Sequence, residues 1–394
     1  MIEINPDKIK KAEIAVGIPS YNERDTISNV VKQVDKGIVK YFKNKSAVII
    51  NSDNNSLDKT KEVFLKTGTK TPKIYISTPK NIRGKGNNLR NLFLKIKDLK
   101  TEASINVDAD LKSITPEWIK CLIAPIFKGY DYLTPIYLRH KRDASITNRL
   151  CYPLVYGLLG YDIRQPIGGD MGFSKKMVKY WLNQKWPDEV KGYGIDMFMT
   201  LYAVKSGFKL GQVYLGSKVH KPSAPKLDKM FLEVAETIFQ FLAGNKGLWQ
   251  RKIKLKKIPL VCNVKRKAGY PKTTFDVKRV EKEISQSFEN HYRPIKSHIS
   301  EDVSFQLERI FFKEKSLKID NELWIKIVYQ LFFIYQTSLK KETLIKLLRV
   351  LYFARTISFI EETFNRNQKE AEKIIQDQAH HFFKTRNYLF SLIS

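Results

Sequence analysis

The chain has 394 residues, 43% hydrophobic, 12% aromatic and 28% charged, an ordinary globular composition that excludes a disordered chain. A body of this length buries roughly three quarters of its unfolded surface and needs neither disulfides nor a structural metal. The cysteines Cys121, Cys151 and Cys262 are far apart and form no CxxC pair, which excludes a zinc ribbon or disulfide scaffold and fits a reducing, cytoplasmic setting.

In chain order, Ile14-Ala15-Val16-Gly17-Ile18 reads as a buried strand running into the Pro19 loop. Helical spacing follows over 25–41, a second strand at 47–50, a turn at 51–56 and a helix over 58–66. A third strand is expected at 73–77, a helix over 87–99, and a fourth strand at 103–107 that ends on Asp108-Ala109-Asp110. Such alternation predicts βαβ units and a mostly parallel sheet. A helix over 116–127 and a strand at 132–137 come next. The stretch from Pro166 to His220 mixes glycine turns with one helix, 195–205. Apolar runs at 150–161 and 327–339 are far short of the ~20 residues of a membrane span and read as buried helices. Beyond Ile284 glycine and proline nearly vanish, and 323–364 reads as two or three amphipathic helices. The expected organisation is an α/β domain over 1–250, a basic connector over 251–283 and a helical section over 284–394.

The N-terminus lacks a signal-peptide layout. Lys and Arg number 70 against 40 Asp and Glu, a charge of +30. Nucleic acid, an anionic membrane surface and phosphorylated substrates compete to explain it, beside a bland lysine bias. Charge alone does not choose.

Ligands of open α/β sheets bind at the carboxyl ends of parallel strands. Four loops fall there: Pro19-Ser20-Tyr21-Asn22-Glu23, the Asp53 turn, Arg83-Gly84-Lys85-Gly86-Asn87 at a helix start, and Asp108-Ala109-Asp110. Bare amides and a lysine at a helix start suit diphosphate oxygens. Two carboxylates flanking one residue can turn to one hard cation.

The first and fourth loops together resemble the GT-A nucleotide-sugar glycosyltransferases, a Rossmann-like fold whose DxD motif holds a divalent metal on the diphosphate. Downstream, Gly84-Lys85-Gly86, Asp143-Ala144-Ser145-Ile146-Thr147, Gln165-Pro166-Ile167-Gly168-Gly169-Asp170, Gly194-Ile195-Asp196 and Lys218-Val219-His220 follow in the order seen in mannosylglycerate synthase and the related glucosylglycerate and glucosyl-3-phosphoglycerate synthases. The resemblance covers about 12–240. It implies a retaining hexosyltransferase with a helical C-terminal part. Asp108, Asp110 and His220 would hold Mn²⁺ or Mg²⁺. Pro19, Tyr21, Glu23, Asp53, Gly84, Lys85, Gly86, Ala109, Gly168 and Gly169 would bind a nucleotide sugar, GDP-linked by preference. Gln165, Asp170 and Asp196 would line the reacting centre, Asp170 standing where the family usually carries glutamate.

The same resemblance places Arg139 and Thr147 on the carboxylate of a small acid, D-glycerate or 3-phosphoglycerate. Lys141 and Arg142 are candidates for a phosphate, and Thr134 stands where mannosylglycerate synthase has arginine. A homodimer, peripheral membrane contact and no nucleic acid complete the expectations. A transferase acting on a polyprenyl phosphate or cell-envelope glycan, a nucleotidyltransferase and a nucleic-acid-binding protein are the rivals.

Overall fold

The computed structural model describes residues 2–221, 226–265, 269–270 and 275–393. Part of the expected basic connector, 266–268 and 271–274, lies outside them. The chain divides into two compact units. One comprises 1–139, 163–223 and 257–271, the other 140–162, 224–256 and 272–394. The contiguous boundaries expected at 250 and 283 therefore give way to interleaved segments.

The first unit is built on a nine-stranded sheet. Its strands are β1 (Glu3–Ile4), β2 (Ile14–Ser20), β3 (Ala47–Asp53), β4 (Lys73–Ser77), β5 (Ala103–Asn106), β6 (Tyr132–Leu138), β7 (Met171–Ser174), β8 (Leu210–Ser217) and β9 (Leu260–Asn263). Their spatial order is β1-β4-β3-β2-β5-β7-β6-β8-β9. Strands β4, β3, β2 and β5 run parallel, as do β6, β8 and β9. Between these blocks β7 is antiparallel to both β5 and β6, and β1 is antiparallel to β4. The mostly parallel sheet expected from the alternation is present. Strands β7 and β8 are additions, hidden in sequence because Gly172, Gly211 and Gly216 interrupt their apolar pattern.

Helices α1 (Ile27–Tyr41), α2 (Thr60–Lys66), α3 (Lys85–Asp98), α4 (Pro116–Phe127), α5 (Lys175–Leu182) and α6 (Ile195–Ser206) cover the sheet. Strand β2 is buried along its whole length, the signature of a strand covered on both faces. Ile14, Val16 and Ile18 pack in one cluster with Val30, Val34, Trp118 and Ile119 of α1 and α4. On the opposite face a Cβ at Gly17 would stand 2.1 Å from Leu92 of α3, so glycine there permits close helix–strand packing. Both helix layers thus press on β2.

The cysteines depart from expectation: Cys121 of α4 and Cys262 of β9 form a disulfide, their Cα atoms 5.3 Å apart. The two cysteines are 141 residues apart, so linear spacing conceals the meeting of edge strand β9 with α4. Cys151 is free and buried.

The second unit is helical. It contains α7 (Leu227–Gly244), α8 (Val277–Tyr292), α9 (Glu301–Glu308), α10 (Asn321–Tyr335), α11 (Lys341–Glu362) and α12 (Gln368–Lys384). The apolar run at 150–161 is broken into π-helical turns Thr147–Cys151 and Val155–Leu159 about Tyr152–Leu154. Buried Arg149 stacks on Phe359, its guanidinium carbon 3.4 Å from the ring centroid. No helix among the described residues is long and apolar enough to cross a membrane.

Candidate functional site

The loop after β2 is fixed by Asp53, at the end of β3. Its carboxylate accepts from Ser20 Oγ at 2.8 Å, Ser56 N at 2.8 Å, Ser56 Oγ at 2.6 Å and Tyr75 OH at 3.1 Å. At 1% exposure and with four donors in place, Asp53 is a brace joining β2, β3 and β4. Pro19 is buried in β2. Tyr21 is 38% exposed, with Arg83 over its ring at 5.4 Å. Glu23 is held by Lys221 at 2.6 Å and by Thr26 Oγ1 at 3.0 Å. Burial nevertheless raises its pKa, with Asp110 adding to the effect.

Gly84 opens α3 with a φ of 119°, a conformation that favours glycine. The amides here are not all bare, because Gly86 N donates to Gly192 O at 3.0 Å. Lys85 projects from the first turn. Its Nζ lies 2.9 Å from Asp196 Oδ2 and 3.5 Å from Asp108 Oδ1. Burial opposes its charge, but Asp108 and Asp196 outweigh that and raise its pKa well above an ordinary lysine's. Asp196 sits in the first turn of α6. Its Oδ1 is buried and has no hydrogen-bond partner among the described residues, so one acceptor oxygen is available to a ligand hydroxyl.

On the other side of Asp108, Lys218 Nζ donates to Asp108 Oδ2 at 2.7 Å, Asp170 Oδ2 at 2.7 Å and Gly168 O at 2.9 Å. Asp170, fully buried, also accepts from Asp108 N at 2.8 Å and from Tyr137 OH. Gly169, with a φ of 85°, allows this closure: a Cβ there would stand 2.5 Å from Asp108 Oδ2 and 2.9 Å from Lys218 Nζ. The result is an alternating chain, Asp170, Lys218, Asp108, Lys85, Asp196. Burial pushes the Asp170 pKa up. It acts the same way on Asp108, where Lys218 and Lys85 override it and depress the pKa.

Asp110 Oδ2 accepts from Lys221 N at 3.2 Å and lies 3.8 Å from His220 Nδ1. Burial lowers the His220 pKa, and Lys218 and Arg139 reinforce the shift. The imidazole is therefore neutral at pH 7, the form that ligates metals. Among the described residues no three His, Cys, Asp or Glu side chains are gathered closely enough to hold a metal as they stand. Asp108 is turned instead to its two lysines. The chemistry of the donor set nonetheless fits a hard divalent ion: carboxylates and one neutral nitrogen.

The remaining expected residues divide. Ala109 is buried in the apolar core, so it could meet a ligand only through its backbone. Gln165, also buried, grips the backbone of Tyr137, donating to its O at 2.9 Å and accepting from its N at 3.3 Å. These bonds brace the end of β6. Arg139 lies over the Tyr137 ring at 5.1 Å in the α/β unit. Thr147 belongs to the helical unit and is buried. Lys141, a candidate for a phosphate, is engaged within the helical unit. Its ammonium caps α11, donating to the carbonyls of Thr363 at 2.5 Å, Phe364 at 3.1 Å and Arg366 at 2.7 Å, where the helix dipole favours a cation. Lys218, Tyr137 and Lys221 were not among the expected site residues. For Lys218 the signal was its position two residues before His220, at the carboxyl end of β8.

No curated protein matches the chain. Among solved structures, glucosyl-3-phosphoglycerate synthase from Mycobacterium tuberculosis in complex with Mn²⁺, UDP and phosphoglyceric acid is 22% identical, with a TM-score of 0.48 over 58% of this chain and 78% of that one. The same enzyme with Mg²⁺ and UDP is 21% identical, with a TM-score of 0.46 over 59% and 79%. A structure described only as a mycobacterial protein is 22% identical, with a TM-score of 0.46 over 59% and 74%. The family model for the mannosylglycerate synthase GT domain matches residues 16–238. That span is more than half of the chain and carries every strand-end loop described above, and the protein belongs to the mannosylglycerate synthase glycosyltransferase family.

Proposed function

We propose that the chain transfers a hexose, mannose or glucose, from a nucleotide diphosphate sugar to a small acid, with retention at the anomeric carbon. The observation that carries this is the alternating acid–lysine chain at the strand ends, inside the family-matched span. Asp108, Asp110 and His220 are the residues that would hold a divalent cation, which would supply charge stabilisation to the departing diphosphate. Lys85 moves from Asp108 toward the diphosphate and offsets the negative charge that develops there. Asp196 accepts from a hydroxyl of the sugar or acceptor through its open Oδ1. Tyr21 and Arg83 flank the nucleoside.

For the acceptor, Arg139 is the candidate carboxylate clamp, since a guanidinium pairs with a carboxylate through two parallel bonds. With Lys141 engaged on α11, one fewer cation remains for a phosphate, which favours D-glycerate over 3-phosphoglycerate, although Thr134, in place of the arginine of mannosylglycerate synthase, leaves the full glycerate grip unreproduced. The donor half belongs to the α/β unit. A homodimer, a cytoplasmic location and peripheral membrane contact are further parts of the proposal. Light scattering and liposome co-sedimentation read the first and last.

The test is product formation from GDP-mannose, GDP-glucose and UDP-glucose with each acid and Mn²⁺, in wild type, Asp110→Ala and Arg139→Ala. Transfer lost in Asp110→Ala, with the acceptor KM raised in Arg139→Ala, is the expected pattern. Undiminished turnover in Asp110→Ala sinks the site. Failure to glycosylate either acid passes the role of acceptor to a polyprenyl phosphate or glycan.

A further inference from the structure

Lys218 has no part in the scheme above, yet it is the most completely coordinated charge in the site. Its side chain is 4% exposed. An ammonium has three protons, and all three are taken, by Asp108, Asp170 and Gly168. Lys85, on the far side of Asp108, is held more loosely: it is 3.5 Å from that carboxylate and 20% exposed. Both oxygens of Asp108 thus face a cation before any ligand arrives, Oδ2 a fixed one and Oδ1 a movable one. Lys218 cannot leave without stranding the buried Asp170 carboxylate, whereas Lys85 keeps Asp196 as a second partner.

We infer that Lys218 is an internal counter-ion that holds Asp108 against Asp170 and keeps the affinity for a free divalent cation low, so that metal is retained only together with a nucleoside diphosphate. The inference rests on the reading of Asp108, Asp110 and His220 as the metal-holding residues. The diphosphate supplies the missing oxygen ligands and draws Lys85 away. Lys218 stays as the positioning residue that sets the carboxylate's direction. The consequence is an order of binding: metal and nucleotide enter as a unit and do not load separately.

The experiment is Mn²⁺ titration of the full chain, read from the free-ion electron paramagnetic resonance signal, without nucleotide and with GDP or UDP. The proteins are wild type, Lys218→Met, Lys218→Arg and the double variant Lys218→Met/Asp170→Asn, which folds without an unpaired buried carboxylate at 170. Wild type is expected to bind Mn²⁺ weakly alone and at least tenfold more tightly with nucleotide. The double variant is expected to bind Mn²⁺ alone at least tenfold more tightly than wild type, and Lys218→Arg, which keeps the charge, to retain the weak affinity. Nucleotide-free affinity that is unchanged or weaker in the double variant overturns the inference. Adding Asp110→Ala to the double variant separates the two levels. Loss of the gained affinity keeps the ion at this site. A gain that survives puts the ion elsewhere and overturns the metal reading itself.

Discussion

Cutting the Lys218–Asp170 pair should reveal how much of the α/β unit's stability depends on the ionic chain at its strand ends. Lys218→Met leaves the carboxylates of Asp108 and Asp170 facing a vanished cation, one of them fully buried. Removing one partner of a buried pair costs about 3–5 kcal/mol. Asp170→Asn is milder, because Lys218 retains Asp108 at an equal 2.7 Å and Gly168 O at 2.9 Å. About half the cost, ~2 kcal/mol, is expected. In the double variant neither buried charge is left alone, so the two losses should fall short of additivity by about 2–3 kcal/mol, as for directly bonded neighbours. For a domain of this size 1 kcal/mol moves Tm by about 2–4 °C, so Lys218→Met should lower it by roughly 6–20 °C. The assay is thermal unfolding of all four proteins by circular dichroism at pH 7. If Lys218→Met unfolds within a degree of wild type, or the double variant loses the full sum of the single losses, the ion pairs are not coupled as the geometry requires.

Partial burial works against ionisation of Glu117, but hydrogen bonds from Tyr41 and Lys40 and its own amide prevail and hold its carboxyl at about 2. A depressed carboxyl contributes stability above its ordinary 4.5 and loses it as pH falls toward 2. Its side chain is 42% exposed, so screening reduces the effect to about 1 kcal/mol. The Tm gap between wild type and Glu117→Gln should be about 2–4 °C at pH 7 and close in acid; a gap that persists at pH 2 contradicts the assignment. Paired replacement of Cys121 and Cys262 by serine should lower stability by about 2–4 kcal/mol, since the bond closes a long loop. Thiol titration of the denatured, unreduced wild type should find one free thiol, and three would show the bond unformed. Gly169→Ala places a Cβ 2.5 Å from Asp108 Oδ2 at a φ of 85°. It should cut kcat at least tenfold with the circular dichroism spectrum unchanged; full turnover would show that this close approach is dispensable.

The N-terminal half of the fold was readable because its strands and helices are continuous apolar patterns. The helix Pro116–Phe127 and the strand Lys73–Ser77 stand where the periodicity puts them, and β2, buried on both faces, is an unbroken apolar run. What escaped were pairings made in space. Strand β8 carries glycines that blur its alternation. The Cys121–Cys262 bond joins elements that no local pattern connects. At the strand ends, residue type identified chemistry correctly without identifying its object: the carboxylate of Asp53 and the ammonium of Lys141 are bonding groups, but protein donors and carbonyls satisfy them. Lys218 was hidden for the opposite reason. It stands in the Lys218-Val219-His220 motif, but in a chain with 70 cationic residues a lysine has no role to itself until its burial is seen.

The interleaving of the two units bears on how the protein can be divided. A fragment ending at residue 250, the natural cut for anyone seeking a minimal catalytic domain, would remove 257–271 from the α/β unit. Strand β9 pairs in parallel with β8, the strand whose continuation carries Lys218 and His220. Without it β8 becomes an unprotected sheet edge, the kind of edge that templates aggregation, and Cys121 is left as an unpaired thiol. Insolubility of such a fragment would report a missing strand, and would say nothing about whether the helical segments take part in catalysis. A fragment that respects the fold must reconnect 139 to 163 and 223 to 257 with linkers and retain β9.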